Sequence, residues 1–403
     1  MIRLIALLFV FSLSGYSYAQ QPLPFYNNLG PYKVGFQTIA QYDPSRTYEP
    51  AVVGDASRQR GAKHGRPVQT AIWYPAKKGG SRMRYDDYLK LLGWDDDFDR
   101  TPDEQAKVVK DWLAMVTNGK AEAQIAAERR DLLWAVRDAE AKPGKYPVVV
   151  YSPSLSSNVF ENAEIMEFLA SHGYIVIASP ALGVRTRWQK PDLEHVEAQA
   201  ADIRFLIDFA RSLPYADMNR VTAMGFSFGG LANVLAAAKD DRIKALVCLD
   251  GTVRYFNTLV EQAPYAVAEN LRTPLLFMAQ RPASFERHLD RKPDLSGSFL
   301  RKMKNADVYL LTMYAMEHAH FGSSYLRLDP LVFDEYTLEE VAQAYGLTAR
   351  YVLNFLNGTM KNDRGGLKYL RQRPEQIGAP PHSVRTQFFP AGNQSLKTAA
   401  VGD

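Results

Sequence analysis

Hydrophobic and polar positions along this chain follow two periods that take turns. From residue 146 onward, short runs in which nearly every residue is apolar alternate with longer stretches in which apolar residues recur every three or four positions. The short runs are Tyr146 to Tyr151, Tyr174 to Ala178, Val221 to Met224, Ile243 to Leu249, Pro274 to Ala279 and Val308 to Met313. Their length and continuous apolar character suit strands buried on both faces. The longer stretches are helical: Phe160 to Ser171, and Leu193 to Leu213, where Val196, Ile203, Leu206, Ile207, Ala210 and Leu213 share one face. Such alternation predicts a mostly parallel sheet covered by helices on both sides. Upstream, Tyr32 to Tyr42 and Val68 to Tyr74 read as two further strands, a hairpin with a long connection.

Two segments break this rhythm. Residues 82–142 are charged and helical in texture, with one helix opening at Asp103-Glu104 and running to Thr117, Asn118-Gly119 ending it, and a second from Glu122 to Ala139. They read as a helical insertion before the third strand, either a lid over the active site or a cover for one sheet edge. After the last strand, Thr337 to Gly346 and Thr348 to Met360 read as two short helices joined at Gly346-Leu347-Thr348 that close the fold on the sheet. From Lys361 onward Gly, Pro, Gln and Ser accumulate, so residues 362–403 are expected to be a partly disordered extension, at least from Gly392 to Asp403. The main domain is expected to span residues 20–361.

The first residues have a different purpose. Arg3, the apolar stretch Leu4 to Leu13 and the small-residue end Ser17-Tyr18-Ala19 form a secretory signal peptide over residues 1–19, too short to span a bilayer and suited to cleavage before Gln20. The mature chain is therefore expected in the periplasm or outside the cell, without an integral membrane segment. The one cysteine, Cys248, sits inside Ala245 to Leu249 and reads as a buried core thiol, so no intramolecular disulfide forms. A formal net charge of +4 over 403 residues, with no basic stripe, argues against a nucleic-acid partner.

Candidate chemistry centres on Gly225-Phe226-Ser227-Phe228-Gly229-Gly230, which lies between the apolar run ending at Met224 and the helix-forming stretch Leu231 to Ala238. A serine at a sharp strand-to-helix turn has its hydroxyl exposed above the sheet, and the flanking glycines let strand and helix approach closely. Ser227 then needs a base, and an acid to orient that base, following in chain order at later strand ends. Asp250 directly ends the run Ile243 to Leu249, and His318 follows Val308 to Met313. Rivals for the acid are Glu286, Asp290 and Asp294; the rival for the base is His320, which reads better as a nearby structural residue. Neither histidine is accompanied by an acidic cluster at metal-ligand spacing, so no metal and no cofactor is called for. The oxyanion hole needs one backbone N–H from the residue after the nucleophile, Phe228, and one from the loop Ser152 to Asn158. Pro153 has no N–H, and Leu155 is favoured over Ser154 and Ser156. Phe226, Tyr255 and Phe256 flank the nucleophile and the acid and are candidates for an apolar substrate pocket.

Four stretches carry a resemblance to a known family. Arg66 to Pro75, Tyr146 to Ser152, Leu169 to Val176 and Gly225 to Gly230 resemble the plasma-type platelet-activating-factor acetylhydrolases and the dienelactone-hydrolase-like proteins related to them. The resemblance spans roughly residues 30–80 and 145–330 and implies an α/β-hydrolase fold. It also implies the triad acid at Asp250 and the base at His318, since His318-Ala319-His320-Phe321 is similar to the family's His-x-x-Phe. Two departures stand out. The family has His-Gly-Leu-Gly after its third strand where this chain has Pro153-Ser154-Leu155-Ser156, and dienelactone hydrolases use a cysteine nucleophile where this chain has Ser227. The expected activity is a secreted serine ester hydrolase for short-chain or lipid-like esters. The alternatives are a peptidase or amidase on the same triad, and an inactive binding protein of the same fold.

Overall fold

Unbroken apolar runs become strands here because each face of the sheet has its own core to fill. In the computed structural model, which describes residues 22–50, 65–77, 80–254, 257–282, 298–331, 333 and 335–392, the β5 strand Tyr146–Ser152 shows this directly. Its Val148 and Val150 join one apolar core with residues of the α5 helix Leu193–Ala210 and the α6 helix Phe228–Ala237. Its Val149 and Tyr151 join the opposite core with residues of the α4 helix Ala163–Ser171 and the helix Leu338–Met360. Alternate side chains of one strand point to opposite faces, so a strand covered on both sides must be apolar throughout.

The described residues form one eleven-stranded sheet. Besides β5 its strands are β1 Lys33–Asp43, β2 Arg66–Ala76, β3 Arg82–Arg84, β4 Leu132–Arg137, β6 Ile175–Ala178, β7 Ala216–Phe226, β8 Ile243–Leu249, β9 Leu275–Ala279, β10 Val308–Met313 and β11 Val384–Phe389. Across the sheet the order is β11-β10-β9-β8-β7-β5-β6-β2-β1-β4-β3. From β10 to β6 every neighbouring pair is parallel. β1 and β2 form the expected antiparallel pair, in register from Lys33 opposite Ala76 to Asp43 opposite Arg66.

Three expectations are corrected. The insertion is only partly helical: α1 Tyr85–Leu89, α2 Pro102–Val116 and α3 Glu122–Arg130 are flanked by strands β3 and β4, and β4 replaces the second half of the helix expected to reach Ala139. Leu132 to Arg137 has acceptable helix formers, but pairing with β1, Val34 opposite Ala135 and Phe36 opposite Arg137, outweighs local propensity. The insertion's strands thereby extend one edge of the sheet. Second, the two closing helices are one, Leu338–Met360, running straight through Gly346. Glycine serves there for proximity: Asn27 Nδ2 donates to the Gly346 carbonyl at 2.8 Å, and a Cβ would stand 3.3 Å from that nitrogen. Third, Val308 to Met313 is not the last strand: the extension adds β11, which pairs antiparallel with β10 from Val308 opposite Phe389 to Met313 opposite Val384. The signal peptide, Tyr255, Phe256, Glu286, Asp290, Asp294 and all but the first residue of the Gly392 to Asp403 tail lie outside the described residues.

Candidate active site

Five neighbouring strands, β5, β7, β8, β9 and β10, end on the same rim of the sheet, and the residues just past those ends meet. They are Leu155 in the loop after β5, Ser227 after β7, Asp250 after β8, Gln280 after β9 and His318 after β10. The carboxyl ends of parallel strands are where open α/β sheets place their ligand sites.

Ser227 sits at the turn with φ 53° and ψ −118°, a left-handed conformation that a non-glycine residue adopts only at a cost of about 1–3 kcal/mol. Its backbone is pinned from several sides. The Ser227 N–H donates to the Leu249 carbonyl at 3.0 Å, and its own carbonyl accepts from Gly230 and Thr252 at 3.0 and 2.9 Å. The turn is compact because of its glycines. A Cβ on Gly229 would stand 2.0 Å from the Ser152 carbonyl oxygen, so the loop after β5 lies directly on the start of α6. A Cβ on Gly230 would stand 2.8 Å from Gly251 Cα, which holds the acid's loop against the same turn.

His318 Nε2 is 2.8 Å from Ser227 Oγ, and His318 Nδ1 is 2.6 Å from Asp250 Oδ2. Asp250 is fully buried, whereas the His318 side chain keeps 41% of its surface exposed, so the carboxylate is shielded while the imidazole is open to solvent. The Asp250 backbone is also left-handed, φ 44°, and its N–H donates to the Met278 carbonyl at 2.7 Å. The three candidate triad residues are thus brought into one hydrogen-bonded line. His320 is not part of it. Its Nδ1 accepts from the Glu317 N–H at 3.0 Å, its ring stacks on Phe333 at 5.5 Å, and burial pushes its pKa down to about 4, so it is a neutral structural imidazole.

In the loop after β5, the Ser154 N–H donates to Glu161 and the Ser156 N–H to Gln189, at 3.0 and 2.7 Å. The Leu155 and Phe228 N–H groups have no acceptor among the described residues. Phe228 is the first residue of α6, where the helix dipole adds positive potential. Phe226 is buried beneath the imidazole, its ring centroid 4.9 Å from that of His318 and 6.2 Å from Tyr325, so it supports the base from below.

Two residues at this rim escape a sequence reading. Gln280 donates to both oxygens of Asp250 and accepts from the His318 N–H. Glu161 is a fully buried acid under the loop after β5. For Gln280 the one available signal is position: it follows the strand between those of the acid and the base. Among the described residues no group of three or more His, Cys, Asp or Glu is placed to hold a metal ion. Nor is any helix there long and apolar enough to cross a membrane.

Comparison with known proteins agrees with this architecture. Residues 135–320 match the model of the dienelactone hydrolase family, a stretch that runs from β4 to just past β10 and contains Ser227, Asp250, Gln280 and His318. Hydrolase LUC6 of a Fusarium species is 31% identical over 131 residues, covering 30% of this chain and 30% of that protein, so the chain spans under a third of that relative's length. The solved structure of a ferulic acid esterase from Streptomyces cinnamoneus superposes with a TM-score of 0.60, covering 91% of this chain and 99% of that one at 16% identity. At that identity the likeness concerns the fold, and the chain has the α/β-hydrolase fold.

Proposed function

We propose that this protein is a serine-dependent carboxylic ester hydrolase that works through an acyl-enzyme. One observation carries the reading: Ser227, His318 and Asp250 stand in a continuous hydrogen-bonded line with the serine on a strained strand-to-helix turn. The match to a hydrolase family model, and the resemblance to the platelet-activating-factor acetylhydrolases, support the same chemistry.

Ser227 Oγ attacks the ester carbonyl carbon as His318 Nε2 takes its proton, and Asp250 holds Nδ1–H and stabilises the imidazolium. Negative charge that develops on the carbonyl oxygen is met by the Phe228 and Leu155 N–H groups. The imidazolium then gives its proton to the departing alcohol, leaving the acyl group on Ser227. Water, activated by the same imidazole, attacks the acyl carbon, and the acid and free serine are released.

The substrate we favour is a short-chain or lipid-like ester, met after export through the leader at residues 1–19. A fluorophosphonate probe tests the chemistry. The folded protein is expected to be labelled at Ser227, with Ser227→Ala unlabelled and inactive but folded, and with Asp250→Asn losing on the order of 10⁴ in kcat. A folded protein that is neither labelled nor active on p-nitrophenyl esters would instead be a binding protein of this fold. A series of acyl lengths from acetate upward, with methyl ferulate alongside, then reads the substrate. A maximum at long chains or at the aryl ester would overturn the short-acyl proposal while leaving the triad in place.

A further inference from the structure

The loop after β5 offers three backbone N–H groups in a row, and the structure disposes of two. Ser154 directs its N–H to Glu161 Oε2 at 3.0 Å and its hydroxyl to Glu161 Oε1. Ser156, left-handed at φ 56°, gives its N–H to Gln189 Oε1 at 2.7 Å, and the Gln189 N–H returns a bond to Ser156 Oγ at 2.7 Å. Leu155 is held between these two clamps with its own N–H unspent.

Glu161 has no exposed surface. Burial raises its pKa, and hydrogen bonds from Ser154, Ser157 and Tyr151 pull it back, the Tyr151 hydroxyl at 2.7 Å. These partners are neutral, and a buried acid held by neutral donors costs folding free energy that an apolar residue there would not. Rules of core composition are broken mainly where function requires it. The same short segment also grips the chain beyond the base: Ser324 N–H donates to the Glu161 carbonyl and Ser323 N–H to Asn162 Oδ1, both at 3.1 Å, and the Tyr325 hydroxyl lies 3.1 Å from Ser154 Oγ. Glu161 therefore registers the loop after β5 against the segment that follows His318.

We infer that Glu161 is a positioning residue for the oxyanion hole, drawing Ser154 inward from beneath so that the Leu155 N–H faces the substrate's carbonyl oxygen. This rests on the ester-hydrolase reading. It also accounts for a loop without glycine, Pro153-Ser154-Leu155-Ser156, in which side-chain hydrogen bonds must impose the backbone path.

Three variants test the inference on p-nitrophenyl acetate. Glu161→Leu removes both acceptors. Glu161→Gln keeps the shape and one carbonyl acceptor for the Ser154 N–H. Ser154→Ala deletes the hydroxyl link and keeps the N–H bond. Loss of a well-aimed oxyanion donor costs about 10²–10³ in kcat, so Glu161→Leu is expected to fall about 100-fold with KM nearly constant, and Glu161→Gln to recover to within about tenfold. Affinity for a trifluoromethyl ketone, whose hemiketal oxygen occupies the hole, should fall in parallel, while the matching unreactive amide binds as before. Wild-type kinetics in Glu161→Leu, or equal losses for ketone and amide, would overturn the inference, the second by showing general collapse of the pocket. If Glu161→Leu does not fold, Ser154→Ala and Glu161→Gln decide: unchanged kcat in both overturns the inference, and a fall in kcat and ketone affinity at constant KM upholds it. A wild-type protein inert to the ester and to fluorophosphonate would overturn the underlying ester-hydrolase reading, a failure visible before any variant is made.

Discussion

Gln280 grips both oxygens of the Asp250 carboxylate, its backbone N–H on Oδ1 at 2.9 Å and its Nε2 on Oδ2 at 2.8 Å. Oδ2 is also the oxygen that receives His318 Nδ1, and Gln280 Oε1 accepts the His318 N–H at 3.2 Å. One side chain thus shares the acid's charge and tethers the base's backbone. Gln280→Leu keeps the backbone bond and removes the other two. A hydrogen bond to a charged group contributes about 1.5–3 kcal/mol, so kcat/KM should fall by roughly 10- to 100-fold. An unchanged kcat/KM in a folded variant would reduce Gln280 to a spacer.

The tight approach at Gly229 gives a second test. With the Ser152 carbonyl oxygen 2.0 Å from where a Cβ would stand, Gly229→Ala must push the loop after β5 away from α6 or unwind the first turn of that helix. Either movement separates the Leu155 and Phe228 N–H groups. The variant is expected to lose about 10²-fold or more in kcat, comparable with losing an oxyanion donor. Thermal unfolding should fall with it. A variant of normal activity would mean that the loop and the helix can part without disturbing the hole.

How far the site is legible before folding depends on what defines each residue. Ser227, Asp250 and His318 can be read from chain order, because each follows an apolar run long enough to be recognised as a strand. Gln280 follows such a run too, but nothing in a lone glutamine marks it; its role arises only because β9 lies between β8 and β10. Glu161 reads as an ordinary acid near a helix start, and only the fold, with Tyr151 and Ser154 closing over it, makes it buried. The fold shows the same division. Parallel strands with two buried faces announce themselves, whereas β4, next to one edge of the sheet, and β11, at the other edge, are half-exposed segments whose pairing with β1 and β10 overrides weak local preferences. Gly346 misleads in the other direction, since its freedom accommodates Asn27 and not a helix end.

Stability in acid should report on His320. Its folded pKa of about 4 lies below the 6.5 of a free imidazole because burial opposes its charge. Below 6.5 the unfolded chain takes up a proton that the folded chain refuses, so stability is complete above that pH and declines as pH falls toward about 4. The full decline is on the order of 3 kcal/mol. His320→Gln, which can still accept the Glu317 N–H, should remove this share of the decline. Urea unfolding at pH 7 and pH 4.5 measures it: the gap between the two pH values should be smaller in the variant by about 2–3 kcal/mol. An identical gap in both proteins would mean that the imidazole is protonated without loss.

Arg327 fastens the insertion to the rest of the molecule. Its buried guanidinium meets three carboxylates, Glu164 of α4 at 2.5 Å, Asp131 at 2.8 Å and Glu128 of α3, and lies 4.8 Å above the Tyr85 ring. Glu128 and Glu164 are themselves buried, so Arg327→Leu would leave two acids without their cation, a change that typically costs about 3–5 kcal/mol. The pH dependence distinguishes charge from lost contact. Burial raises the Glu128 pKa and Arg327 is the largest influence pulling it back. Without that pull the ionised form is penalised further, so the variant's deficit should be largest near pH 7 and shrink as pH falls and the carboxyls take up protons. Arg327→Lys, which keeps the charge but not the planar fork, should fall between the two. Urea unfolding of the three proteins at pH 7 and pH 4.5 tests this. A deficit that is equal at both pH values would assign the loss to the Tyr85 stack and the vacated volume, and the carboxylates would then be spectators.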